Sequence, residues 1–338
     1  MSHTIPPTAT AESSTAILRP RYDPLLMPAV EAMKASLPEI LNIETLRGSG
    51  KDFGPESVLD SLPDLEHSEY SVPGPKVTGG NITLSVFKYR ASTSTNRPAL
   101  YHVHGGGQIA GNRFTAVKEA ISYFEDIDAV FISVEYRLSP EHPAPAALHD
   151  AYAGLVWTAE NAAKLGIDGS KIILYGCSGG SPIAAGTAML CRNSNAQYPH
   201  ALMLLTPMLD DRDTTVSSKQ FARDGPWCGT TNRMAWDLVL GKERGGPSVS
   251  ELVSPARATD LVGMPPTFID VGECEVFRDE AVAFASQLWK CGVSAELHVW
   301  PGAFHGFDML TPTAPVCHAA KNTKISWVKR ILGEFEKN

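Results

Sequence analysis

A serine set among glycines, a loop rich in carboxylates and a late histidine are residue types that together can attack a carbonyl group. Ser178 lies in Gly176-Cys177-Ser178-Gly179-Gly180, between the apolar run Lys171–Tyr175 and an Ala-rich stretch from Pro182 to Cys191. A strand that turns sharply into a helix holds its turn residue in strained geometry, and flanking glycines leave room for it. The hydroxyl then stands at a helix N-terminus, where backbone N–H groups can meet a developing anion. Upstream, Ala99–Val103 runs into His104-Gly105-Gly106-Gly107, a loop whose successive glycines let the backbone approach a substrate and aim N–H groups at one point. Gly106, Gly107 and Gly179 are the candidate oxyanion donors.

Two more strand-like runs end in reactive side chains. Pro266–Val271 leads into Gly272-Glu273-Cys274-Glu275-Val276-Phe277-Arg278-Asp279-Glu280, and Ala295–Trp300 leads into Pro301-Gly302-Ala303-Phe304-His305-Gly306-Phe307. The chain order is serine, acid, histidine, as in α/β-hydrolases and unlike the chymotrypsin and subtilisin orders. Each candidate follows a strand's carboxyl end, where a doubly wound sheet builds its site. Spacing alone leaves Glu273, Glu275 and Asp279 all open as the acid beside His305. Asp279 and Glu280 fall where a helix through Ala281–Phe284 should begin, a position that favours carboxylates through the helix dipole.

Val134-Glu135-Tyr136-Arg137-Leu138-Ser139-Pro140-Glu141-His142-Pro143-Ala144-Pro145-Ala146-Ala147, with the His-Gly-Gly-Gly loop and the Gly-x-Ser-x-Gly turn, resembles the hormone-sensitive-lipase family of esterases, bacterial family IV. The likeness runs from about residue 66 to the C-terminus. It implies an α/β-hydrolase core with a helical cap, and hydrolysis of carboxylic esters without cofactor or metal. The family's acid motif is commonly Asp-Pro-Leu-Arg-Asp-Glu, and here Glu275-Val276-Phe277-Arg278-Asp279-Glu280 stands in its place. That correspondence selects Glu275, with Ser178 and His305, as the catalytic set. The turn also departs from the usual Gly-Asp-Ser-Ala-Gly-Gly, with Cys177 before the serine. Gln108 replaces a common aromatic after the glycines, which bears on the acyl side of the pocket. The resemblance further suggests a homodimer.

The elements that must position these residues alternate along the chain. Residues 1–16 are small, polar and Pro/Thr/Ser-rich, the composition of a disordered tail. Ile17 to Leu65 reads as short helices punctuated by Pro20, Pro24, Pro38 and Pro63. Glu69–Val72 and Ile82–Phe87 read as an antiparallel start to a sheet, and Ala129–Val134, Lys171–Tyr175, Ala201–Leu205 and Pro266–Val271 alternate with helices. The expected fold is α/β, of the α/β-hydrolase type, with a mostly parallel central sheet, helices on both faces and a helical cap. Its expected parts are residues 1–65 (tail and cap helices), 66–206 (first part of the core), 207–265 (cap insertion) and 266–338 (second part of the core). Between 207 and 265 the alternation lapses, and the aromatic residues Phe221, Trp227 and Trp236, with Gln108 and Phe307, are the expected walls of an apolar ester pocket.

Several polar residues read as structural. His142 sits in a rigid Pro-flanked turn, His104 reads as a brace for the glycine loop, and His298 lies inside a strand. Arg137 and Glu141 are expected in buried pairs, Asp150 as a helix cap and Asp168 in a turn. The six cysteines are scattered without metal-ligand spacing and read as reduced thiols.

Composition sets the outer bounds. Of 338 residues, 43% are hydrophobic and 20% charged, enough for a large core. A formal net charge of −8 without a basic block argues against nucleic-acid and anionic-membrane partners. With neither a leader-like N-terminus nor a bilayer-spanning apolar run, the expectation is a cytoplasmic enzyme acting on a small-molecule ester. The alternatives are a lyase, dehydratase or amide hydrolase using the same pocket, or a non-catalytic hydrolase-like receptor. The receptor reading is disfavoured because serine, acid and histidine are all present.

Overall fold

Unbroken apolar runs, buried on both faces, build the centre of the molecule. The computed structural model describes residues 17–36, 41–50, 53–76, 79–194 and 199–333. The tail expected to be disordered, residues 1–16, lies outside them. Three helices come first: α1 (Met27–Ser36), α2 (Ile43–Gly50) and α3 (Pro55–Leu59). Then follow β1 (Leu65–Pro73), β2 (Asn81–Tyr89), β3 (Arg97–Val103), α4 (Val117–Ile121), β4 (Val130–Glu135), α5 (Ala146–Glu160), α6 (Ala162–Leu165), β5 (Ile167–Cys177), α7 (Gly180–Ser194) and β6 (Ala201–Leu205). After α8 (Val216–Gln220) and α9 (Gly229–Leu240) come β7 (Thr267–Gly272), α10 (Arg278–Lys290), β8 (Ala295–Trp300), α11 (Phe307–Leu310) and α12 (Pro315–Leu332).

The eight strands form one sheet in the order β1-β2-β4-β3-β5-β6-β7-β8. β1 pairs antiparallel with β2 and β2 with β4; every later pairing is parallel. Side chains alternate across each strand. Thus Tyr101, Leu174 and Ile269 face the layer holding α5, α7 and α10, while Leu100, Ile173 and Phe268 face the layer holding α4 and α12. The central strands can be apolar throughout because helices cover both faces.

The stretch between β6 and β7 carries α8, α9 and two short 3₁₀ turns but no strand. Its Phe221, Trp227 and Trp236 are buried and join the main apolar cluster. A third cluster seats Leu26, just before α1, and Val30 of α1 on Ala303 and Phe304 of the loop after β8 and on Phe307 of α11. The Asp23 N–H donates to the Gly302 carbonyl at 3.0 Å and fixes the same contact.

Candidate active site

Ser178 follows β5 and precedes α7, and its φ of +50° is the strained turn that the sequence pattern requires. The turn is tight because α7 starts against the neighbouring strand: a Cβ on Gly180 would stand 2.2 Å from the Val103 carbonyl oxygen. The Ser178 N–H donates to the Leu205 carbonyl of β6 at 2.8 Å, which pins the turn to the sheet edge.

His305 Nε2 lies 3.0 Å from Ser178 Oγ, so the hydroxyl can donate to the ring. On the other side, His305 Nδ1–H donates to Glu275 Oε2 at 2.6 Å. That assignment of the ring proton follows from the carboxylate, which only accepts. Glu275 is 2% exposed, and its second oxygen accepts the Gly272 N–H at 2.8 Å. Both carboxylate oxygens are therefore held, and the imidazole has one orientation. The ring packs edge-on against Phe277, 5.2 Å between centroids, and Trp227 lies 6.4 Å away.

The glycine loop meets the serine turn directly. A Cβ on Gly179 would stand 2.4 Å from the Gly107 backbone nitrogen, so only glycine lets the two segments come this close. Among the described residues, the N–H groups of Gly106, Gly107 and Gly179 donate to no protein acceptor. Trp227 closes over them, since a Cβ on Gly107 would meet its ring at 2.4 Å. Behind the loop, His104 Nδ1–H donates to the Gly105 carbonyl at 2.7 Å and the ring stacks on Tyr136 at 4.0 Å. Burial pulls the His104 imidazole down to about 4, so it stays neutral as a brace. Cys177 points into the opposite core cluster, and burial, followed by the nearby Asp308 charge, pushes its thiol up to about 12.

The rival carboxylates are engaged elsewhere. Glu273 accepts the Gly302 N–H at 2.9 Å, and Asp279 accepts the Ser217 N–H at 2.7 Å and pairs with Arg278. Glu280 lies in the first turn of α10 but reaches back to the Leu209 N–H at 2.6 Å, and burial raises its carboxyl well above the usual range. Of the expected pocket walls, the structure brings Trp227 and Gln108 to the glycine loop. Phe221 packs on Tyr22 with centroids 6.3 Å apart, Phe307 sits in the cluster with α1, and Trp236 is fully buried in the main core. Phe277, beside His305, was not singled out, because a lone aromatic in an acidic loop carries no periodic signal.

Two supporting residues, Asp150 and Glu141, differ from expectation. Arg137 forms the expected pair, gripping the buried Asp150 with Nε and Nη2, both at 2.8 Å. Asp150 is therefore the buried half of an ion pair inside α5 and caps nothing. Glu141 is exposed and pairs with Arg47 at 2.7 Å. A helix folding back over the Arg137 turn creates the first pair, and α2 brings in the second.

Behind the acid and base loops, Lys324 of α12 is 1% exposed, with Nζ 2.7 Å from Asp270 and 2.8 Å from Asp308. Trp300 Nε1–H also donates to Asp270, at 3.1 Å. Burial alone would lower the Lys324 ammonium, but the two carboxylates outweigh it and hold it above its ordinary value.

Residues 100–309 match the family model described as alpha/beta hydrolase fold. The carboxylesterase NlhH of Mycobacterium tuberculosis is 30% identical over 322 residues, covering 94% of this chain and 98% of that protein. An arylesterase of Saccharolobus solfataricus is 29% identical over 66% of this chain and 72% of its own length. Among solved structures, a bacterial heroin esterase superposes with a TM-score of 0.82 at 30% identity, over 92% of this chain and 98% of that one. The esterase LipW of Mycobacterium marinum gives 0.81 at 30% identity, over 94% and 99%. No helix of the described residues is long and apolar enough to cross a membrane. With the serine turn, the glycine loop and the late histidine in one fold, the chain belongs to the hormone-sensitive-lipase family of α/β-hydrolase-fold carboxylic ester hydrolases.

Proposed function

We propose that the protein hydrolyses carboxylic esters of small to medium, largely apolar molecules through an acyl-enzyme, with Ser178 as nucleophile, His305 as general base and acid, and Glu275 as the orienting carboxylate. The observation that carries this reading is the unbroken hydrogen-bonded line from Ser178 Oγ through the His305 ring to Glu275, beside three backbone N–H groups without acceptors. His305 takes the serine proton as Oγ attacks the carbonyl carbon. Glu275 fixes the tautomer and stabilises the imidazolium. The N–H groups of Gly106, Gly107 and Gly179 hold the oxyanion, a well-placed donor contributing about 3 to 4 kcal/mol. His305 then returns the proton to the leaving alcohol, and water repeats the sequence on the acyl-enzyme.

Residues 207–265 act in this reading as the cap, with Trp227 closing over the glycine loop. The six unpaired cysteines, five of them buried, and the net charge of −8 suit a cytoplasmic protein that binds no nucleic acid. Sedimentation would test the homodimer that the resemblance suggests. The decisive experiment is a panel of p-nitrophenyl esters of rising chain length, with amides and lactones alongside, run on the wild type and Ser178→Ala. Acetate and butyrate should be turned over well and palmitate poorly, because the inserted segment is short and polar. Ser178→Ala should fall by about six orders of magnitude in kcat while keeping its melting temperature. Retained burst kinetics in that variant would move the nucleophile elsewhere.

A further inference from the structure

Gln108 combines two features that do not stabilise a fold. Its backbone lies at φ +64°, where a residue with a Cβ is strained. Its side chain is 4% exposed, and Nε2 has no hydrogen-bond partner in the protein. A buried amide without a partner is destabilising, and native folds tolerate few of them.

The side chain lines a small cavity with Pro145, Leu148, Pro182, Ile183 and Leu252, and every other residue of that wall is apolar. The space open to a water-sized sphere is about 10 Å³, room for one small polar group.

Strand order shows which part of an ester would reach it. Ser178 follows β5, which has β3 and β4 on one side and β6, β7 and β8 on the other. Glu275 and His305 arrive from β7 and β8. Gln108 follows β3, and Pro145 and Leu148 come from the segment after β4. An ester attacked by Ser178 must place its leaving oxygen at His305 Nε2, the atom that returns the proton. Its acyl substituent then points away from the leaving oxygen, and the Gln108 cavity, on the side of β5 opposite β7 and β8, is the candidate to receive it.

We propose that Gln108 selects short acyl groups that carry an oxygen substituent, a hydroxyl or a carbonyl, which its amide hydrogen-bonds inside this cavity. The inference rests on ester hydrolysis at Ser178. An oxygen there would give the orphaned Nε2 its acceptor, and a purely hydrocarbon chain would leave it unpaired. Sites with buried polar groups discriminate against substrates that cannot pair with them.

The test compares p-nitrophenyl 3-hydroxybutanoate with p-nitrophenyl 3-methylbutanoate, near-isosteres differing by a hydroxyl and a methyl. Each kcat/KM is divided by the hydroxide-catalysed rate of the same ester. The wild type should favour the hydroxy ester by about tenfold or more, and Gln108→Leu should bring the ratio close to one. If Gln108→Leu does not fold, Gln108→Met provides the apolar comparison, and the wild-type ratio is decisive in its own right. A wild-type ratio near one, or a preference that survives removal of the amide, overturns the proposal while leaving the ester reading intact. Failure of the wild type on both esters and on the acetate would overturn both.

Discussion

Two buried carboxylate clusters lie back to back in this molecule, and they do different work. Glu275 has no cation beside it; both its oxygens accept hydrogen bonds, one from a ring that can gain and lose a proton. Asp270 and Asp308 share the fixed charge of Lys324; Lys324 and Asp270 are buried and Asp308 is half-buried. Asp270 belongs to β7, whose loop carries Glu275, and Asp308 stands on α11, just after His305. The ionic cluster therefore ties together the two segments that must meet, and the hydrogen-bonded one holds the residues proposed to carry out the chemistry. The proton-exchanging carboxylate faces a ring that can gain and lose its charge, and the structural pair shares one permanent cation.

The sharpest way to break this division is at Glu275. Glu275→Gln should lower kcat by about three to four orders of magnitude, because an amide no longer selects the working tautomer. Glu273→Gln and Asp279→Asn should leave kcat near wild type, since their carboxylates bind backbone N–H groups away from His305. Collapse in either neighbour with Glu275→Gln unaffected would transfer the role.

Next in size is Lys324→Met. Removing the ammonium leaves Asp270 buried without its cation, beside the half-buried Asp308, and the loss of one partner of a buried pair costs about 3 to 5 kcal/mol. Chemical denaturation should show that loss, while kcat per folded molecule changes far less than in Glu275→Gln. A variant of unchanged stability and collapsed kcat would mean that the ionic cluster takes part in the reaction.

The smallest effect concerns acid. Burial pulls His104 to about 4 and His102 to about 3, so both are neutral in the folded protein. The unfolded chain gains their protons below about 6.5 and the folded protein does not, so stability is full above that pH and falls between about 6.5 and 4. Each histidine contributes about 1.4 kcal/mol per pH unit within that window. His102→Gln should make the stability profile shallower by about one proton. An unchanged slope would show that the unfolded-state protonation of His102 does not matter.

How much of this was legible in the sequence depended on range. β6 falls where its apolar run begins and ends, Ala201–Leu205, because burial in a parallel sheet is a local signal, and the edge strand β8 falls on the alternating Ala295–Trp300. Ser178 and the glycine loop were visible for a similar reason, since strained turns demand glycine at fixed offsets. The choice among Glu273, Glu275 and Asp279 was not visible from spacing, because it depends on how the chain after Gly272 turns back to offer its N–H to Glu275. Asp150 was misread as a helix cap because it reaches Arg137 only after the chain has turned into α5. Lys324 gave no sign at all: a lysine on an amphipathic helix normally faces solvent, and only tertiary packing against Asp270 and Asp308 buries it.

The seat of α1 on the histidine loop has a consequence for how the enzyme comes into being. During synthesis α1 is made well before its resting place at Ala303, Phe304 and Phe307. The nucleophile turn, by contrast, needs only strands that precede it or follow soon after. On the proposed mechanism, a nascent chain can shape the serine turn before the segment after β8 supplies the base.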